Sequence, residues 1–114
     1  MDILIKGAKL INGTGSSPSL NAFVLIRDEK IIDIGSQKKL PKHLEKFRVL
    51  DFPNGTILPG LIETHSHMHC TGNKESLERM LLDSEETLIM RSVKAMRESL
   101  LSGVTTMRDL GSRN

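Results

Sequence analysis

Hydrophobic residues follow two different spacings along this chain, and the change falls near residue 57. Before it, apolar residues alternate with polar ones or form short runs rich in β-branched residues, which is typical of β-strands. These segments are 2–11, 23–34 and 48–52. Small and turn-forming residues such as GTGSSPS separate them. We therefore predict mainly antiparallel strands over residues 1–56.

Residues 23–34 are predicted to form a hairpin with its turn at Asp28 and Glu29. A two-residue hairpin turn favours Gly at its second central position, because a positive φ costs a non-Gly residue about 1 kcal/mol. Glu29 at that position predicts a longer loop or local strain. The polar segment QKKLPKHLEKF that follows is expected to contain a short helical turn at most.

From residue 57 onwards the pattern becomes that of a strand–helix–strand unit. The segment TILPGLIETH is an apolar run of the kind found in parallel strands that are covered on both faces. The later segment VTTMRDL is a second run with β-branched residues. We therefore predict a parallel βαβ unit within residues 57–114, with strands near 57–64 and 104–108.

The stretch between these two strands has a helical period. Its apolar residues are spaced as one face of a helix; they are Leu88, Ile89, Val93, Met96 and Leu100. Asp83 followed three residues later by Glu86 resembles a capping box, which predicts a short helix near 74–82 and a longer one near 84–101. Gly103 is expected to end the second helix.

Three of the four histidines lie at alternate positions after the first apolar strand, in LPGLIETHSHMHC. Side chains two residues apart on a strand share a face, with Cα atoms roughly 6.5 Å apart, so His65 and His67 can converge on one metal ion. The C-terminal end of a parallel strand is also where αβ barrels place their catalytic residues. His69 would lie roughly 13 Å from His65 on an extended chain and could join only if the chain bends. The pair therefore predicts a metal site.

The neighbouring residues have several interpretations. For His69, a role beside the metal ligands, a contact with substrate and simple solvation are equally open. Cys70 could bind zinc as a thiolate, but a buried, unreacted thiol is the favoured interpretation. A single cysteine excludes an internal disulfide and favours a reducing, cytoplasmic compartment. His43, in the basic loop, is interpreted as an ordinary surface residue.

Composition narrows the class of protein. The 114 residues are 38% hydrophobic and 26% charged with a net charge of +2, as in a soluble globular protein of one domain or parts of two. Basic residues are interleaved with acidic ones and lack aromatic residues between them, which argues against nucleic acid as a partner. The first residues lack the pattern of a signal peptide, and no segment approaches the roughly 18–20 apolar residues of a membrane span. We expect neither nucleic-acid nor membrane partners.

The segments VLIRDEKIIDIG, LPGLIETHSH and GVTTMRDLG together resemble the N-terminal part of the metal-dependent amidohydrolases. The closest resemblance is to the imidazolonepropionase-related amidohydrolases and dipeptidases, and it covers essentially the whole chain. It implies an α/β fold in which residues 1–56 are N-terminal strands of a small β-sandwich domain. Residues 57–114 would then be the first βαβ unit of a truncated (β/α)8 TIM-like barrel.

The resemblance also assigns roles to single residues. His65 and His67 match the metal-ligand pair at the end of barrel strand 1. Arg108 and Asp109 lie at the end of strand 2, either facing the site or forming an ordinary ion pair at the strand end. Glu63 stands where the family usually has Asp, with the same charge and a longer reach. Together with His69, these residues are candidates for contacting the ligands or the substrate.

What the resemblance implies about chemistry is hydrolysis of amide, cyclic amide or dipeptide C–N bonds by a water that a divalent metal, expected to be zinc, activates. The family takes further ligands, a lysine, more histidines and an aspartate, from later strands, and such a barrel needs about 200 residues. We therefore expect the N-terminal part of such an enzyme, acting on a small-molecule substrate when whole. Alone it is expected to be catalytically silent, with unpaired strand edges that favour self-association. The alternative is a non-catalytic oligomerising β/α module, with or without a metal bound at HSHMH.

Overall fold

The structure, a computed structural model, describes residues 1–70 and 72–111. The chain is mixed α/β and divides into two compact units, Met1–Pro59 and Gly60–Asn114. In the part of the chain that is described, no helix has the length and apolar character needed to cross a membrane.

The first unit is a four-stranded sheet. Its strands are β1 (Asp2–Leu10), β2 (Ser19–Arg27), β3 (Lys30–Ser36) and β4 (Arg48–Ile57), in the order β3-β2-β1-β4. The β1–β2 and β2–β3 pairings are antiparallel, as predicted, but β4 pairs with β1 in parallel. A 3₁₀-helix, Gln37–Lys39, begins the connection to β4 and matches the predicted helical turn.

The sheet buries apolar side chains on both faces, and the central strand β2 contributes to both. Successive residues of β2 alternate between two clusters of buried side chains. One cluster is Leu4, Phe23 and Leu25, covered by Leu40, Leu44 and Phe47; the other is Leu10, Ala22 and Val24, with Ile5, Ile26 and Ile57 against it. The connection before β4 therefore covers one face, and this unit has a core of its own.

The β2–β3 hairpin turns at Asp28 and Glu29, as predicted. Arg27 pairs with Lys30, so the turn has only two residues, and of the two alternatives, a longer loop or local strain, the longer loop is wrong. The positive φ, 54°, falls on Asp28 rather than on Glu29. Asp tolerates this conformation better than most residues because its short side chain can hydrogen-bond locally. Here its carboxylate accepts a 2.8 Å hydrogen bond from the amino group of Met1.

The first unit ends at Pro59 and the second begins at Gly60. β4 continues through Pro53 to Ile57, with an irregularity in its pairing with β1 that leaves room for the proline. The next strand was predicted to begin near residue 57. It begins instead at Leu61, after Pro59 and Gly60. Gly60 is required there, because a Cβ on it would overlap the side chain of Thr105.

The second unit is the predicted βαβ arrangement. Its elements are β5 (Leu61–Ser66), α1 (Ser76–Leu82), α2 (Glu85–Leu101) and β6 (Val104–Asp109), and β5 pairs with β6 in parallel. Helix α2 is capped by Ser84, whose hydroxyl accepts from the N–H of Thr87, so the prediction of Asp83 as the cap is wrong. Asp83 instead ends α1. Gly103, with φ of 100°, follows the end of α2 as predicted.

The packed face of α2 differs from its apolar face. Of the five residues in the predicted apolar stripe, only Leu88 is buried, whereas Val93 is 51% and Leu100 61% exposed. The buried and half-buried positions are Leu88, Arg91, Ser92, Ala95 and Ser99. They also have helical spacing, but they lie on the side next to the stripe. Within this chain α2 therefore buries small and polar residues and exposes most of its apolar stripe.

Candidate metal site at the end of strand β5

The side chains of His65 and His67 lie next to each other where β5 ends. His65 is on the strand, His67 follows its last residue, and both side chains are exposed. Their ring centroids are 5.3 Å apart, with ring planes at 68°. Zinc–nitrogen bonds of about 2 Å in a tetrahedral site put the centroids of two ligand rings roughly 5 Å apart. The observed separation therefore suits two imidazoles on one ion.

A hydrogen bond at the end of β6 fixes the orientation of His67. Its Nδ1 lies 3.0 Å from the carbonyl oxygen of Gly111. A carbonyl oxygen only accepts, so Nδ1 must carry the proton, and in the neutral ring the lone pair is then on Nε2. Histidine ligands to metals commonly have this arrangement, with the second nitrogen donating to a carbonyl or carboxylate. The tautomer of His67 thus fits a metal ligand.

Glu63 acts on the backbone next to the histidine pair. Its Oε1 accepts a 2.9 Å hydrogen bond from the N–H of His65. This bond joins positions two residues apart on β5 and shows how the longer side chain is accommodated where the resembling family has Asp. Glu63 therefore steadies the strand at His65. Its side chain is exposed.

Asp109 joins the segments that follow the two strands. Its Oδ2 accepts from the N–H of Met68 at 3.3 Å, and its Oδ1 accepts from the N–H of Gly111 at 3.0 Å. The N–H of Leu110 donates to the carbonyl of Ser66 at 2.9 Å beside them. The Arg108 side chain is exposed, and its role near the site stays a prediction.

The chain turns directly after His67, with the N–H of Cys70 donating to the carbonyl of His67 at 2.9 Å. Nδ1 of His69 is buried, and no hydrogen-bond partner for it occurs among the described residues. Within residues 1–70 and 72–111, no three His, Cys, Asp or Glu side chains are grouped so that they could hold an ion. His69 is therefore not a third ligand beside His65 and His67 in this arrangement.

Cys70 is a half-buried free thiol next to a methionine. Its Sγ lies 3.9 Å from the Sδ of Met80 on α1. The carbonyl of the preceding His69 accepts from the guanidinium of Arg91 on α2, at 3.4 Å. These contacts attach the turn to both helices and agree with the interpretation of Cys70 as a packed thiol.

Two features of the site were missed by sequence reasoning, namely the carbonyl of Gly111 and the N–H of Met68. Both are backbone groups, which every residue has, so no residue type marks them. The signal that was available is Asp109, whose carboxylate can accept from two backbone N–H groups at once.

Comparison with known proteins gives a consistent set of similarities. Residues 56–114 match the Amidohydrolase family. An imidazolonepropionase of Pyrobaculum arsenaticum is 37% identical over 62 residues, which cover 54% of this chain and 16% of that protein. An imidazolonepropionase of Brucella anthropi is 24% identical over 111 residues, which cover 76% of this chain and 27% of that protein.

Solved structures resemble the chain over almost all of its length. The crystal structure of A. niger ochratoxinase superimposes with a TM-score of 0.77 at 26% identity, covering 95% of this chain and 25% of that one. In each of these comparisons the chain spans about a quarter of the relative's length or less.

Proposed function

Since this chain belongs to the amidohydrolase family, we propose that it is the N-terminal part of a divalent-metal-dependent hydrolase that cleaves C–N bonds. The substrates proposed are small molecules, namely amides, cyclic amides or dipeptides, and the proposed location is the cytoplasm. The observation that carries the proposal is the pair of His65 and His67, with ring centroids 5.3 Å apart and with Nδ1 of His67 bound to the Gly111 carbonyl. This arrangement leaves Nε2 of His67 for a metal ion beside the ring of His65.

The proposed architecture follows the two units. The first unit would be part of a small β-sandwich domain, supported by a four-stranded sheet that has its own core. The second unit would be the start of a (β/α)8 barrel, with β5 and β6 as its first two strands. The parallel pairing of β5 with β6, and the two helices that connect them, support this assignment.

The metal proposed for the site is zinc, which is commonly bound by imidazole nitrogen. When bound, such an ion lowers the pKa of a coordinated water towards neutrality. The chain's own residues would hold it as follows: His65 and His67 supply the nitrogen ligands, Glu63 steadies the backbone at His65, and the Gly111 carbonyl fixes the His67 tautomer. Catalytic zinc usually has three protein ligands, so we propose that at least one more comes from polypeptide other than these residues.

The metal proposal is tested by titrating zinc into the wild-type chain and a His65→Ala, His67→Ala double variant. Two imidazoles make fewer bonds than a closed site, so the wild type should bind one ion more weakly than a structural zinc finger does. The double variant should lose this binding. His43→Ala is the matched control, because His43 is an exposed histidine in a loop, and it should leave zinc binding unchanged. Equal binding by the wild type and the double variant would refute the proposed ligands and direct attention to His69 and Cys70.

The activity proposal is tested with the same chain and a set of amide, N-acyl amino acid and dipeptide substrates, with zinc or manganese added. We expect no turnover, because a complete site also needs a proton acceptor and groups that orient the substrate. Metal-dependent, saturable turnover that disappears in the double variant would show that the 114 residues form a complete site. It would contradict the expected silence of the chain while supporting its ligands.

A second candidate function, a non-catalytic oligomerising module, is favoured by the exposed apolar side chains of the second unit. Ile62 on β5 and Met90 on α2 are each 68% exposed. Sedimentation at several concentrations tests it: a metal-independent dimer that persists on dilution supports the module. Hydrolysis regained when the chain is co-expressed with the C-terminal part of a full-length relative supports the enzyme.

A further inference from the structure

We propose that Asp109 is a positioning residue for His67, and that it acts through the backbone of Gly111 rather than by contact with a metal ion or a substrate. The inference rests on the proposed function of His67 as a metal ligand. It adds a role to the two that the sequence left open for Asp109, a side chain facing the site and an ordinary ion pair at the strand end.

The first step is the position of the carboxylate between the two segments that leave the sheet. One oxygen accepts from Met68, which lies after β5, and the other accepts from Gly111, which lies after β6. Hydrogen bonds to an ionised carboxylate are roughly twice as strong as those between neutral groups. The 2.9 Å bond from Leu110 N–H to the Ser66 carbonyl lies beside them. One side chain therefore fixes the backbone after both strands.

The second step connects this anchor to the imidazole. Gly111 donates its N–H to Asp109 and accepts from Nδ1 of His67 with its carbonyl oxygen, so its two backbone groups join the carboxylate to the ring. Glycine has the largest conformational freedom of any residue, and without the anchor its carbonyl would sample many directions. Holding the N–H restricts that freedom and keeps the carbonyl directed at Nδ1. The protonated Nδ1 then leaves the lone pair on Nε2.

The third step compares Asp with Asn at position 109. Asn at position 109 has nearly the shape of Asp but has one acceptor oxygen and an amide group that only donates, so it can keep only one of the two bonds. Asp33→Asn is the matched control, because it makes the same change at an exposed aspartate on β3.

The first experiment measures the His67 tautomer without metal, by nitrogen-15 NMR of the ring at about pH 8. The wild type and Asp33→Asn should have the proton on Nδ1. Asp109→Asn should give a mixture of the two tautomers. The second measurement is zinc affinity. It should fall about 10- to 100-fold in Asp109→Asn, as for other residues that orient metal ligands, and stay unchanged in Asp33→Asn.

The outcomes separate this inference from the proposed function. A folded Asp109→Asn variant with wild-type tautomer and wild-type zinc affinity overturns the role of Asp109, even if the histidine double variant loses zinc. A changed tautomer in a chain whose wild type binds no zinc supports the role of Asp109 and refutes the metal site. If Asp109→Asn does not fold, the wild type still decides: a scalar coupling across the hydrogen bond from Gly111 nitrogen to the Asp109 carboxyl carbon supports the inference, and its absence overturns it.

Discussion

The two units differ in how much of their apolar surface they bury themselves. The first has six buried apolar residues, Leu4, Leu10, Ala22, Phe23, Val24 and Leu25, whereas Leu88 is the one buried apolar residue in the described part of the second. Burial of apolar surface is the main favourable contribution to folding. The difference indicates that the first unit can stabilise itself, whereas the unit with the candidate metal site needs more burial than these residues provide.

The second unit is instead organised by polar contacts at the ends of its elements. Arg91 on α2 pairs with Asp83 between the helices and donates to the carbonyl of His69 in the turn after β5. Asp109 joins the segments after β5 and β6. These contacts lie near the histidine pair, so in the unit with the smaller core polar contacts join the elements where the chemistry is proposed.

The largest effect on unfolding free energy is expected for Phe23→Ala, which tests whether the first unit has a core of its own. Phe23 is 1% exposed and lies in one of the two clusters of the sheet, so its truncation should cost about 3–5 kcal/mol of unfolding free energy. Ile32→Ala, on the edge strand β3 where the side chain is 46% exposed, is the control and should change that free energy by about 0.5 kcal/mol or less. Urea unfolding followed by NMR signals from both units is the measurement. Similar losses for the two variants would show that the first unit has no specific core.

A smaller effect is expected at the junction of the two helices. Replacing Arg91, which is half-buried, by Met leaves the Asp83 carboxylate and the His69 carbonyl without this partner, so we expect a loss of about 1–3 kcal/mol. Lys94→Met is the matched control, because Lys94 lies one turn along α2 in an exposed pair with Glu98, which should contribute about 0–1 kcal/mol. Thermal unfolding monitored by signals from α2 compares them. Equal effects would mean that the polar contacts do not organise the second unit.

Local pattern was sufficient to predict most of the elements. The helical period predicted α1 and α2, and the β-branched run VTTMRDL predicted β6. The errors concern features that depend on the rest of the fold. β4 pairs in parallel with β1, about 45 residues away in sequence, and hydrophobic spacing carries no information about that partner. The apolar stripe of α2 was identified, but spacing cannot tell which face of a helix the chain itself will cover.

For the candidate site, the sequence predicted the relative position of the two histidines but not the groups that contact them. The alternate spacing placed His65 and His67 on one side of the strand end, and the ring separation agrees with that expectation. The partners of the site were beyond sequence reasoning, because Gly111 is 44 residues from His67 and takes part through its backbone carbonyl. The capping error has a related cause. Asp83 and Ser84 are both good capping residues, and the choice between them is decided by where α1 ends and by the pairing of Asp83 with Arg91.

The smallest effect is expected at the start of α2. It tests the contribution of the helix cap, which does not depend on the difference in apolar burial between the units. The pKa of Glu86 lies below its ordinary value of 4.5, because its carboxylate accepts from its own backbone N–H and from the Ser84 hydroxyl. A carboxylate whose folded pKa is lowered stabilises the fold above its ordinary value and loses that contribution as pH falls below it. The first turn of α2 should therefore loosen below about pH 4.5, seen as backbone chemical shifts of that turn moving towards coil values.

Glu86→Gln should remove most of this pH dependence. Glu85→Gln removes a charge from the same turn but keeps the bond between Glu86 and Ser84, so it should retain the dependence. If both variants flatten the profile equally, the effect belongs to the charge of the turn and its interaction with the helix dipole, and the specific cap at Ser84 contributes nothing to it.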